Sequence, residues 1–360
     1  MTYDIDKDFL LDTLRECVEV ESPVGYYPEV HTWLRDKLAG MSYEMTVDNN
    51  ATAYVRVPGQ SSEKTVCLGA HLDTIGLVIR GFNPDGTLRV RQLGGINYHS
   101  IEGESCLVHC RDGRAVAGQV ICDHHSTHVF DDARSRERTE DTMSVSLVAD
   151  VKSPDDARAL GVTEGAIVGI DPHFQSFDNG YVISRHIDDK AAVAVLLDVL
   201  LWLAESGEKP AFDTLFAFPI YEEIGRGGSW VPEGVDEYVA IDITLIGPDY
   251  ASSDERSVGV ICSDAKGPYD WTLTNTLIAC AEAACTSGRW NTQVCFHYST
   301  DANAAALHGN NVAAGAFGMA CMNSHGRERC HVDALVETEL LARAYVMGEG
   351  RAADFQDSLR

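Results

Sequence analysis

The sequence has no long hydrophobic run: none of its apolar stretches approaches the ~20 residues that a bilayer-spanning helix needs, so no such helix is expected. It also lacks a CxxC pair and any structural-zinc spacing. Its 11 cysteines are odd in number, and several (Cys67, Cys106, Cys262, Cys295) lie inside apolar runs. That pattern fits buried, reduced thiols better than a disulfide framework. Basic residues are scarce, 28 Lys and Arg against 55 Asp and Glu, a net charge of −27. So acidic a chain is poorly suited to nucleic acid or an anionic membrane surface. The opening residues, Met1 to Asp6, have neither a basic n-region nor an apolar h-region. No signal peptide is therefore expected, and a cytoplasmic location is. Internal repeats and low-complexity linkers are absent as well.

What is present is enough apolar residue, 45% of the chain, for a sizeable core, and a length of 360 residues that favours two domains over one. Near-helical apolar spacing covers 6–20, and a second helix is expected around 28–40. Tyr43–Val47, Ala53–Val57 and Thr65–Ala70 read as strands. After Gly76 the texture changes to short alternating runs (Leu77–Arg80, Leu88–Val90, Ser105–Cys110, Ala117–Cys122, Met143–Val148). Asp85-Gly86 and Asp112-Gly113 supply hairpin-type turns between them. This predicts a small β-barrel or sandwich. Within it, 123–142 is polar and holds His124, His125 and His128, a solvated loop more readily than a metal site.

Helix and strand alternate again from about 180, with helices over Lys190–Glu205, Trp271–Ala284, Ala302–His308 and Asp333–Met347. Strands are expected at Thr214–Ile220, Tyr238–Ile246, Ser257–Cys262, Thr292–His297 and Val312–Gly318. The expected fold is therefore an α/β domain with a mixed sheet and helices on both faces, formed by 1–75 and 179–360. A β-rich insert, 76–178, interrupts it.

Five stretches carry chemistry. His71 stands where the 65–70 strand ends, with Asp73 two residues on. Ligands gather beyond the carboxyl ends of strands in open α/β sheets, where an imidazole can face a metal while a neighbouring group fixes its tautomer. Asp188-Asp189 precedes the apolar helix. The pair suits a helix N-terminus, but beside His71 it also suits a carboxylate bridging two ions. Glu222-Glu223 lies between an apolar strand and a glycine-rich turn, where one can ligate metal and the other act as a base. Asp242 interrupts an apolar strand, a costly position without a strong partner. Met322–His331 offers His325 or His331 as a second imidazole. Two imidazoles and three carboxylates suit Zn²⁺, Co²⁺ or Mn²⁺. Two divalent ions, those three carboxylates and one hydroxide sum to neutrality.

These stretches resemble, in order and over nearly the whole chain, the glutamyl aminopeptidase and tetrahedral (TET) aminopeptidase family of di-metal exopeptidases. The matching segments are 70–73, 188–190, 222–225, 240–242 and 299–302. The resemblance implies that His71 and Asp242 complete one metal site, that Glu223 and His325 complete the other, and that Asp188 bridges them. Glu222 would be the general base and acid, Asp73 would orient His71, and Asp301 would lie near the substrate. The insert would be the oligomerisation domain of a homo-oligomer, from a dimer up to a tetrahedral dodecamer. One departure stands out: the family's His-Ser-Pro-x-Glu is replaced by His325-Gly326-Arg327-Glu328, which bears on the S1 pocket. That variant, with 180–186 and 266–270, resembles a branch associated with bacterial synthesis of the osmolyte N-acetylglutaminylglutamine amide.

The expectation is thus a metallo-aminopeptidase with two co-catalytic ions ~3.5–4 Å apart that removes N-terminal residues from short peptides. The alternative on the same scaffold is an amidase or deacylase acting on a blocked, dipeptide-like metabolite. A glycosidase fits less well, because its carboxyls stand ~5–9 Å apart across a sugar and Glu222 and Glu223 are sequence neighbours. A metal-stabilised scaffold without activity is the non-enzymatic rival.

Overall fold

The structure is a computed structural model and describes residues 3–351. Two helices open it. α1 (Lys7–Glu19) is capped by the Asp6 carboxylate, which accepts from the Asp8 and Phe9 amides. α2 (Pro28–Gly40) begins on a proline, whose missing N–H is no loss at that position. β1 (Thr46–Val47), β2 (Ala53–Val57) and β3 (Ser61–Gly69) follow.

The chain then builds a closed barrel. Its strands are β4 (Gly76–Phe82), β5 (Leu88–Leu93), β6 (Ser105–His109), β7 (Ala115–Cys122), β8 (Met143–Leu147) and β9 (Ile167–Ile170), with short helices α3 (Tyr98–Ile101) and α4 (Pro154–Ala159). They close in the order β4-β5-β8-β7-β6-β9 around a separate apolar core that includes Leu77, Val90, Val108, Val120 and Val145. Residues 123–142 contain no helix or strand.

β10 (Gln175–Ser176) and β11 (Tyr181–Ser184) lead into α5 (Ile187–Ser206). The remaining elements are β12 (Phe212–Phe218), β13 (Glu237–Leu245), β14 (Val258–Asp264), β15 (Gly267–Pro268), α6 (Trp271–Ala284), β16 (Trp290–Val294), α7 (Asp301–Leu307), β17 (Ala313–Cys321), β18 (Glu328–His331) and α8 (Val332–Val346).

Among the described residues the main sheet has nine strands, ordered β1-β2-β12-β3-β13-β17-β14-β15 with β16 on β14. Its centre, β12, β3, β13 and β17, is parallel, and β2 and β14 flank it antiparallel. Central parallel strands are covered on both faces and read as continuous apolar runs, as β12, β13 and β17 do. The two faces are covered unequally. α1, α2, α5, α6 and α8 pack in one large core, with α5 apolar on nearly every side, while α7 covers the other face.

The mixed sheet and the barrel are both as expected; β9, β10, β11, β15, β18, α3 and α4 are not among the expected elements, and several strand ends differ. β3 begins at Ser61 instead of Thr65, β16 stops at Val294, and β17 continues past Gly318 to Cys321. Gly318 lies inside this strand although glycine usually weakens one. Here it permits a close approach: a Cβ would lie 1.4 Å from the Asp242 carbonyl oxygen.

At the opposite end of β13, buried Glu237 takes hydrogen bonds from Arg351, Lys64 and Tyr345. Burial pushes its carboxyl up, but Arg351 and then Lys64 and Tyr345 outweigh it and hold it down at about 2. A carboxyl depressed on folding adds stability that is complete above its unfolded pKa and fades as pH falls toward the folded one. The expected contribution at neutral pH is on the order of 3 kcal/mol. In denaturant titrations Glu237→Gln should lose about that much at pH 7, and its deficit against wild type should shrink between about pH 4.5 and 2.

Candidate functional site

Strand register brings the first two residues together. β3 and β13 pair in parallel with Gly69 opposite Ala240, and continuing that register sets His71 level with Asp242. Alternation along β13 directs Val239, Ile241 and Ile243 to the core holding α5. Tyr238, Ala240 and Asp242 therefore point to the α7 face.

β12 lies on the other side of β3. Its continuation sets the Pro219 carbonyl to accept from the Leu72 amide at 2.7 Å, then turns into a single 3₁₀ turn, Glu222–Ile224. The two glutamates thus sit on a turn rather than on opposite faces of a strand. Glu222 Oε2 is 3.8 Å from His71 Nε2.

Asp188 joins from the start of α5, where backbone angles at 188 and 189 are not helical and the intervening peptide is cis. One of its oxygens is 3.2 Å from His71 Nε2, and the other is 3.4 Å from His325 Nε2. His325 Nε2 is also 3.4 Å from Glu223 Oε2. The ligand atoms of His71, Asp188 and Glu223 lie within 4.8 Å of one another, as do those of Asp188, Asp189 and Asp242. Asp189, given no separate role in the sequence reading, has one oxygen accepting from the His71 amide at 3.1 Å and the other buried without a partner.

The two histidines of the 322–331 stretch have different surroundings. His331 caps α8: its Nδ1 accepts from the Asp333 amide, and its Nε2 faces the Asn179 carbonyl at 2.8 Å. His325 is held in the left-handed region (φ 59°), with Nδ1 2.8 Å from the Gly95 carbonyl. That contact comes from the barrel. Gly94 and Gly95 lie so near that added Cβ atoms would stand 3.2 Å from Glu223 Oε2 and 3.1 Å from His325 Nδ1. The same barrel loop is tied down by buried Arg185, which donates to the Ser100 carbonyl and to Glu104.

Asp73 touches both His71 and the glutamate turn. The closest partner of His71 Nδ1 is the Asp73 backbone carbonyl at 2.9 Å, with the carboxylate at 3.5 Å. The Asp73 carboxylate also accepts from the amides of Glu222 (3.1 Å) and Glu223 (3.2 Å), fixing the glutamate turn. Asp301, first residue of α7, is 4% exposed, with one oxygen unpartnered. It packs against Gly227, where a Cβ would be 2.0 Å from that oxygen. The loop histidines stand apart: His124 pairs with Asp132 at 2.6 Å and stacks on Phe130, and His125 and His128 are exposed. Among the described residues, no candidate metal grouping includes them.

The electrostatics report an excess of negative groups. Burial, and then the Asp188 charge, push Glu223, Asp242 and Glu328 up to about 8. Burial lifts Asp301 to about 7 and raises Glu222 and Asp189 well above the ordinary carboxylate range. Burial opposes a charged His325, but Asp188 and Glu223 overcome it and raise it to about 10. His71 is raised in the same way by Asp188 and Asp73. Two imidazoles are too little positive charge for this many buried carboxylates. The orphaned Asp189 oxygen and a donor set of carboxylate and imidazole atoms fit divalent cations of the Zn²⁺, Co²⁺ or Mn²⁺ type.

A sequence model of the M42 glutamyl aminopeptidases matches residues 51–341. A Bacillus subtilis (strain 168) protein, YhfE, provisionally named an aminopeptidase, is 32% identical over 337 residues, covering 93% of this chain and 96% of its own. The glutamyl aminopeptidase of Lactococcus lactis subsp. cremoris (strain MG1363) is 21% identical over 258 residues, 69% of this chain and 70% of its own. Among solved structures, the TET1 peptidase of Pyrococcus horikoshii, described as a tetrahedron or a large octahedral shell, superposes with a TM-score of 0.81. It is 20% identical, over 94% of this chain and 99% of its own.

Ligands that bind only the folded state stabilise it, by about 2.7 kcal/mol at a hundredfold excess over Kd. Adding Zn²⁺, Co²⁺ or Mn²⁺ to metal-stripped protein should therefore raise its Tm by several degrees. Asp242→Asn removes one mutually repelling carboxylate as a neutral isostere. Differential scanning fluorimetry should find its metal-free Tm at or above wild type and most of the metal-induced rise gone. An unchanged rise would remove Asp242 from the ligand set.

Proposed function

The chain belongs to the M42 glutamyl aminopeptidase family and is a peptide hydrolase; from that premise we propose a metal-dependent aminopeptidase that releases N-terminal residues from short peptides. The observation that carries the proposal is the convergence of His71, Asp188, Glu222, Glu223, Asp242 and His325. They come from five separated stretches and meet in one largely buried cluster beyond the ends of the parallel strands.

In this reading His71 and Asp242 would hold one divalent ion, Glu223 and His325 a second, and Asp188 would offer one oxygen to each. Such ions, when bound, polarise the scissile carbonyl and acidify water. Glu222 is the residue left over. It makes no hydrogen bond through its carboxylate to the ligand set, and burial keeps its proton affinity high. It would take the proton from the attacking water and return it to the departing amine. Asp73 would keep that carboxylate in place by holding the 222 and 223 amides. Asp301, buried with a free oxygen at the start of α7, would accept from the substrate's α-ammonium and so favour peptides with a free N-terminus. The barrel would carry homo-oligomer contacts, as the P. horikoshii assembly suggests, and its Gly94-Gly95 loop would also form a wall of the site.

Aminoacyl-p-nitroanilides, assayed on metal-stripped and metal-restored protein, test the proposal. Release that needs metal and depends on the N-terminal residue is expected. Hydrolysis confined to N-blocked dipeptides would favour the amidase instead. Glu222→Gln should bind metal as wild type does while kcat falls at least about 10²-fold. Near-wild-type turnover in that variant would contradict the role of Glu222.

A further inference from the structure

Glu328 does not point at any candidate metal position, yet it is 1% exposed and both of its oxygens are engaged. Oε2 accepts from the Asp188 amide at 3.1 Å, and Oε1 accepts from the His325 amide at 3.0 Å. These amides belong to two residues 137 positions apart in sequence whose side chains meet at 3.4 Å. β18 places the carboxylate there. It pairs antiparallel with β11, with Glu328 opposite Ser184, four residues ahead of Asp188. The turn before β18 is tight and strained: Asn323 and His325 both adopt positive φ, 62° and 59°. A non-glycine residue in that region is disfavoured and persists only where surrounding contacts enforce it. The Gly95 carbonyl fixes the His325 ring, and Glu328 fixes its backbone.

The chain uses the same device on the opposite side of the site. There the Asp73 carboxylate bridges the amides of Glu222 and Glu223. Each carboxylate spans two ligand-bearing or base-bearing positions without offering itself to the metal. We infer that Glu328 is a positioning residue that locks the Asp188 and His325 backbones in register, so that one Asp188 oxygen and His325 Nε2 converge on a single ion. The inference rests on the di-metal reading above. Its chemical requirement is strict: two acceptors on one rigid group, facing two N–H donors. A glutamine has one acceptor oxygen and would turn its own NH₂ against the second amide. Partners that orient metal ligands in this indirect way typically change metal affinity or activity by about 10–100-fold.

The test is stepwise Zn²⁺ binding, by calorimetry with a competing chelator, on stripped wild type, Glu328→Gln and Glu328→Asp, alongside the metal-free Tm and the kcat and KM of each. Glu328→Gln is expected to weaken one of the two zinc equivalents about 10–100-fold and to lower kcat in parallel with little change in KM. Glu328→Asp keeps both acceptors on a shorter stem and should fall between Gln and wild type. A structural role alone would lower the Tm and leave the affinity of the folded protein for both equivalents at the wild-type value. That result overturns the inference, and if Glu328→Gln does not fold, the folded Asp variant decides by the same criterion. Wild-type protein that binds no pair of ions and cleaves no peptide would defeat the di-metal reading itself. A wild type that does both, with Glu328→Gln equal to it, would defeat only the role assigned to Glu328.

Discussion

Buried negative charge, held where water cannot screen it, is the constraint around which this molecule is arranged. Asp188, Asp189, Glu222, Glu223, Asp242, Asp301 and Glu328 crowd around the carboxyl ends of β3, β12 and β13, opposed among the described residues chiefly by His71 and His325. Removing a carboxylate from water without a partner costs several kcal/mol, and neighbouring carboxylates add repulsion. The large apolar core under the sheet, with α5 at its centre, supplies the rigidity that keeps these groups from separating. Divalent cations would convert the repulsion into binding, which ties stability and activity to the same ions.

Rigidity near the site is also built from backbone contacts rather than side-chain packing alone. Asp73 and Glu328 each bridge two amides, and Gly94 and Gly95 let the barrel loop approach within contact of Glu223 and His325. Arg185 anchors that loop to the segment leading into Asp188. The barrel is therefore joined to the candidate site through specific hydrogen bonds.

Much of this was legible in the sequence because local pattern and chemistry agree. Apolar runs ending in His71 and Glu222-Glu223, and Asp242 inside β13, mark strand ends and a buried charge without needing tertiary knowledge. The short alternating runs between 77 and 148 mark the barrel for the same reason. What escaped depends on long-range geometry. The Asp73 carboxylate, 3.5 Å from His71 Nδ1, also reaches amides 149 and 150 residues distant. Glu328 stands in the sequence only as part of a departure from the family's His-Ser-Pro-x-Glu, and its pairing across β11 shows what it holds. The unpartnered oxygen of Asp189 and the approach of Gly95 have no periodic signature. The continuation of β17 past Gly318 likewise depends on a neighbouring backbone that no local pattern reveals.

The most direct test of the central claim is anomalous diffraction from crystals of the stripped protein soaked in Zn²⁺ or Co²⁺. The account predicts two peaks about 3.5–4 Å apart. One should touch His71 and Asp242, the other Glu223 and His325, with an Asp188 oxygen on each. A single peak that leaves Asp188 uninvolved, or metal bound only outside this cluster, would contradict it.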